Sequence, residues 1–155
     1  MQGHVYTASF TGVAVTALQD LFELLAAAGV PAIIHEIRIG QSSDAGDAEA
    51  EMLQIQVSRT DGTTSGSGGT TPTPQDHSPA SPAASTTVEA NNTTQATVAT
   101  PIISDTFNVQ AGWLYVPTPE ERIIIPGGGT VVVELPSAPN DSLTMSGSIT
   151  FEEIK

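Results

Sequence analysis

The chain has 155 residues, a size that suits one domain, and 17 acidic residues against four basic ones give it a formal net charge of -13. That balance argues against nucleic acid as a partner, because nucleic acid is bound by neutralising phosphates with Lys and Arg, and it argues against an anionic membrane surface for the same reason. Cysteine is absent, which excludes disulfides, thiolate metal sites and Cys nucleophiles, and only 14% of residues are charged, against about 25% in ordinary domains, as suits a surface partly hidden in an assembly.

The first ten residues have neither the basic start nor the apolar stretch of a secretory signal, and no run approaches the ~20 apolar residues of a membrane span. Leu18, Leu21, Phe22 and Leu25 then recur at helical spacing, with Thr16 and Gln19 as a capping box. A helix over 17–28 is the local reading. Leu21, Phe22, Leu24 and Leu25 ahead of Gly29 read equally as a strand paired with residues 31–40. The adopted reading is a single helical turn at 17–20 followed by a strand.

From there the pattern is β. Ile33, His35, Ile37 and Ile39 alternate with Ile34, Glu36 and Arg38, and Leu53, Ile55 and Val57 alternate with Gln54, Gln56 and Ser58. Val131, Val133 and Leu135 form a third apolar row, and Leu143, Met145, Gly147, Ile149 and Phe151 a fourth. A period of two with one apolar face marks half-buried strands packed sheet on sheet. Pro126-Gly127-Gly128-Gly129, between Ile123–Ile125 and the strand from Thr130, reads as a hairpin turn.

Between these flanks, residues 61–100 hold no Lys, Arg, Phe, Tyr or Trp, and Val88 and Val98 are their only aliphatic residues beyond Ala. Such a segment cannot build its own core. It predicts a long Gly/Ser/Thr/Pro-rich excursion from one sandwich, extended, with residues 86–94 returning as a strand because Thr and Val favour a pleated surface. The fold class is all-β: one domain over 1–155, a β-sandwich of eight or nine strands in a meander, with a jelly roll the favoured arrangement. An immunoglobulin-like sandwich is the near competitor, but its Cys–Trp–Cys hallmark is missing.

Chemistry-bearing residues are sparse. His4, His35 and His77 stand far apart, and His35, among inward isoleucines, reads as a core histidine before it reads as a ligand or base. Asp44, Asp47, Glu49 and Glu51 are oxygen donors on one loop and the best place for a weak divalent ion, yet they lack the EF-hand spacing and read first as a solvated loop. Glu120-Glu121 and Glu152-Glu153 are adjacent, so on strands they point to opposite faces and make no acid/base dyad. The glycines of residues 65–70 lack a P-loop Lys. Sequons at Asn91, Asn92 and Asn140 read as chance matches in a Thr-rich chain. No catalytic residue, cofactor or metal site is predicted. Five residues are candidate partner contacts. Trp113 and Tyr115 sit beside a Pro-rich turn, as a hot spot or a carbohydrate platform does, and Pro72, Thr73 and Pro74 lie in the extended segment.

Residues 31–57 (PAIIHEIRIGQSSDAGDAEAEMLQIQV), 65–74 (SGSGGTTPTP) and 111–153 (AGWLYVPTPEERIIIPGGGTVVVELPSAPNDSLTMSGSITFEE) resemble a diffuse group of small proteins encoded by tailed bacteriophages, prophages and bacteria. In order and size the chain also resembles the jelly-roll decoration, or cement, proteins of tailed-phage capsids. The resemblance implies a structural virion protein, made in the host cytoplasm. It would sit on the outside of an icosahedral head as a homotrimer and clamp neighbouring major capsid subunits. It transfers no residue by motif. The competing class is a carbohydrate- or receptor-binding sandwich of a phage tail or cell surface, which an exposed Trp113 and Tyr115 and a Ca²⁺ on the acidic loop would favour. A cupin-like enzyme needs clustered inward histidines, and only His35 qualifies.

Overall fold

The alternating apolar rows form strands because one face of each can be buried against a second sheet while the other meets water. The computed structural model describes residues 3–42, 51–80 and 82–155. Asp44, Asp47 and Glu49, and with them most of the proposed divalent site, lie outside the described residues. In chain order the strands are β1 (His4–Val15), β2 (Gln19–Leu25), β3 (Ala32–Gln41), β4 (Met52–Thr60), β5 (Gln75–Asp76), β6 (Thr87–Asn92), β7 (Val98–Asn108), β8 (Trp113–Tyr115), β9 (Ile124–Ile125), β10 (Thr130–Leu135) and β11 (Leu143–Glu153). Two antiparallel sheets pack face to face as a β-sandwich. Sheet A runs β5-β1-β11-β3-β8, with β9 also on β3, and sheet B runs β6-β2-β10-β4-β7.

The strand pairing is nested. β1 pairs with β11, β2 with β10, β3 with β8 and β4 with β7. No two consecutive strands pair with one another among the described residues, so the expected meander is absent. The expected hairpin at Pro126–Gly129 is absent for the same reason: β9 belongs to sheet A and β10 to sheet B. The glycines serve a crossing between sheets. A Cβ on Gly127 would lie 2.6 Å from Gly29 N, and Gly128, at φ 82°, donates its N–H to Ala26 O at 2.9 Å.

The core joins Phe22, Leu24, Ile34, Ile37, Ile55, Val57, Val131, Val133, Leu143, Ile149 and Phe151, all buried. Two expectations are corrected there. Residues 17–20 form no helical turn; the chain bends at Ala17 and enters β2 directly. β2 also lies in sheet B, beside β10 and β6, and not beside residues 31–40. In β3 a bulge opposite Thr150 and Phe151 shifts the phase by one residue. Ile34 therefore joins Ile37 and Ile39 inside, Ile33 is left half-buried, and His35 leaves the inward row.

Residues 61–80 and 82–97 lie on the sandwich. Ser67 bridges Thr94, Thr70 bridges Ala90, β5 pairs with β1, and the predicted return strand is β6, paired with β2. This layer covers the outward row of sheet B, so Val132, Glu134, Ser58 and Glu23 are buried as well.

Candidate functional site

The strand β8 has three residues, and alternation divides them. Trp113 turns inward and is 7% exposed, with its Nε1 donating to Asp105 Oδ2 at 3.0 Å. Tyr115 is half-buried on the same side, its ring stacked on Trp113 at 6.0 Å and 8°, and its hydroxyl donates to Glu121 O. Burial, with Glu121 nearby, pushes the Tyr115 phenol up, while the Trp113 N–H and the Thr106 N–H hold the Asp105 carboxyl below its ordinary value. The candidate aromatic pair is thus a packed corner of the core.

The exposed side of this edge is aliphatic. Leu114 is 62%, Val116 60% and Ile124 54% exposed. Leu114 lies opposite Arg38, Ile124 opposite the half-buried Ile33, and Arg59 donates to Ile124 O at 3.0 Å. Arg122 closes the single 3-10 turn Pro119–Glu121 between β8 and β9. Three of the four cations therefore stand at or beside this edge, Arg38 paired with Glu36 and Arg122 following Glu120 and Glu121 on the turn, and Lys155 is the only cation elsewhere in the sequence. The edge is close to neutral on a chain that is otherwise strongly acidic.

Pro72, Thr73 and Pro74 lie elsewhere. They lead from the Thr70–Ala90 bridge into β5, at the opposite edge of sheet A, with Thr73 exposed and the two prolines half-buried. The five candidates thus fall into two groups on opposite sides of the sandwich.

The histidines do not converge. His35 Nε2 lies 2.8 Å from Glu152 Oε2 on the outer face, and His77 Nε2 lies 2.7 Å from Thr7 Oγ1. Glu152 faces outward and Glu153 is buried, as alternation requires, whereas Glu120 and Glu121 lie on the 3-10 turn. Glu51 accepts the Asn140 N–H at 2.6 Å.

Sequence reading missed a set of buried carboxylates. Glu23 accepts from Ser65 Oγ at 2.6 Å, Gly66 N at 2.8 Å and Asn92 Nδ2 at 3.1 Å. Asp20 Oδ2 accepts from Ala96 N at 2.8 Å, and Glu134 accepts from Ser58 and Gln95. Glu153 accepts from Ser85 N and Thr86 N. Burial pushes the Asp20 carboxyl up to about 7, with Glu134 and Glu23 adding repulsion and the Ala96 N–H and Gln95 opposing it. Burial raises Glu134 too, eased by Ser58. Gly66 is required at its position, since a Cβ there would lie 2.5 Å from Asn92 Nδ2 and 2.8 Å from both Asp20 Oδ2 and Glu23 Oε2. The signal was present as acids inside otherwise apolar segments, but a net charge of -13 reads as surface charge. Compared with known proteins, the chain matches no family model, no curated protein and no solved structure.

Proposed function

We propose that the chain is a structural virion protein, a jelly roll that decorates and stabilises the outside of a phage capsid as a homotrimer, with the major capsid protein and its own copies as partners. The nested pairing of first strand with last, second with second-last and so inward supports the jelly-roll reading. The observation that carries the role is the β8–β9 edge. It offers an exposed aliphatic row on a nearly neutral strip, and a like-charged copy or a capsid surface can approach there with the least repulsion. The histidines and buried acids are engaged in holding the fold, which suits a structural role rather than a catalytic one. The carbohydrate-binding alternative relied on an open Trp113 face, and that ring is packed against Tyr115 and tied to Asp105.

Light scattering on the purified protein and the heat resistance of capsids with and without it test this reading. A multimer that raises the capsid melting temperature is expected. Leu114→Asp with Ile124→Asp should keep the circular dichroism spectrum and lose both effects. A strict monomer that leaves capsids unchanged would overturn the proposal.

A further inference from the structure

The outward row of sheet B gathers three carboxylates under one roof. Asp20 and Glu134 are paired across β2 and β10, and Glu23 lies on the same strand as Asp20; all three are buried. The roof is Ser65, Gly66, Gln95 and Ala96, bonded directly to these acids. From β4 the group meets the Ser58 hydroxyl, and from β6 it meets Asn92, whose amide also reaches Glu89. No cation faces it among the described contacts. Arg38 pairs with Glu36, Arg59 reaches Ile124 O, Lys155 pairs with Glu153, and Arg122 belongs to the sheet A edge. Asp20 Oδ1 is buried without a hydrogen-bond partner among the described residues.

Asp20 and Glu134, buried side by side next to Glu23 with no cation among the described contacts, are costly to charge together. One proton among them removes the like-charge conflict. Without that proton the group needs more water around it, and lifting the roof at Ser65–Gly66 and Gln95–Ala96 admits that water to Asp20 and Glu134.

We propose that this group is a proton-operated latch: with one proton bound, residues 61–97 stay closed on β2 and β10, and with none they lift locally at Ser65–Gly66 and Gln95–Ala96 while the sandwich stays folded. The device needs no partner, and it stands or falls separately from the capsid reading. The Asp20 carboxyl, raised to about 7, places the transition near neutral pH.

Amide hydrogen exchange on the intact protein, corrected for the intrinsic rate at each pH, tests it. From about pH 5.5 to about pH 8.5, protection at Gly66 and Ala96 should fall roughly tenfold or more, while Ile149 in β11 keeps its protection. Asp20→Asn should hold Gly66 and Ala96 protected across the range, and Glu134→Gln should reduce the fall. If Gly66 and Ala96 track Ile149 in the unmodified protein, there is no latch. If Asp20→Asn keeps the full pH dependence, Asp20 is not its proton site and the proposal fails. Because the first comparison uses the unmodified protein, it decides the matter even if a variant does not fold.

Discussion

Lys155 Nζ stands 2.8 Å from the Glu153 carboxylate, which is buried at the end of β11. The other oxygen of that carboxylate receives the Ser85 and Thr86 N–H groups, where the excursion turns back into β6. Burial alone would raise the Glu153 carboxyl, but Lys155 and Thr86 pull harder and leave it below its ordinary value of 4.5. Since the folded value is the lower one, this carboxylate stabilises the fold above about pH 4.5, and that contribution is lost as pH falls through the depressed value. Urea unfolding as a function of pH should show this acid loss. Glu153→Gln should flatten it and cost about 3 kcal/mol at neutral pH, because two N–H groups and Lys155 lose their charged partner.

The bulge in β3 makes neighbouring isoleucines unequal. Ile34→Ala and Ile37→Ala should each cost about 2–5 kcal/mol, as buried large-to-small changes do. Ile33→Ala should cost less than about 1 kcal/mol, since its side chain is half-exposed. Equal losses at Ile33 and Ile34 in a denaturant titration would contradict the phase shift.

Gly147 occupies the inward row of β11, where a Cβ would lie 2.8 Å from Phe10 Cε1 and 2.9 Å from Ile39 Cδ1. Gly147→Val is therefore expected to cost roughly 1–3 kcal/mol through overpacking, read as a lower thermal midpoint. The nearest obstacle is the Phe10 ring, so Phe10→Leu in the same chain should recover part of the loss.

The rows of β4 and β11 were legible because each strand keeps one apolar face in alternation, and β10 was legible through Val131, Val133 and Leu135 although its outward Val132 is buried too. β2 was not, because both of its faces are covered. Phe22 and Leu24 point into the core while Asp20 and Glu23 point into the roof, and burial on two sides erases the period of two. In β3 the row was misread by one residue at a bulge that nothing in the local sequence announces. Trp113 and Tyr115 stood out as aromatics, yet the exposed residue between them is Leu114. Which side of a three-residue strand faces water depends on the partner strand, and that is long-range information.

Removing residues 62–84 tests how far the excursion belongs to the domain. A free arm would be dispensable. Here the deletion takes away Ser65 and Gly66 from Glu23 and β5 from β1. The shortened chain should unfold at clearly lower urea concentration and bind a dye specific for exposed apolar surface. A full-stability deletion would show that the layer contributes nothing to the fold.

Nested pairing also bears on the order of events during synthesis. β4 and β7 can meet as soon as residue 108 has left the ribosome, and β3 and β8 shortly after, but β1 must wait for β11, with His4 opposite Glu153. Until then the nascent chain carries an apolar strand with an open edge, the condition under which chains aggregate. Refolding of the full chain, followed by Trp113 fluorescence, should be slow, in the range of about milliseconds to seconds that non-local β topologies show. A chain halted before β11 lacks the strand that lies between β1 and β3, so sheet A stays in two pieces whatever the rest of the molecule has achieved.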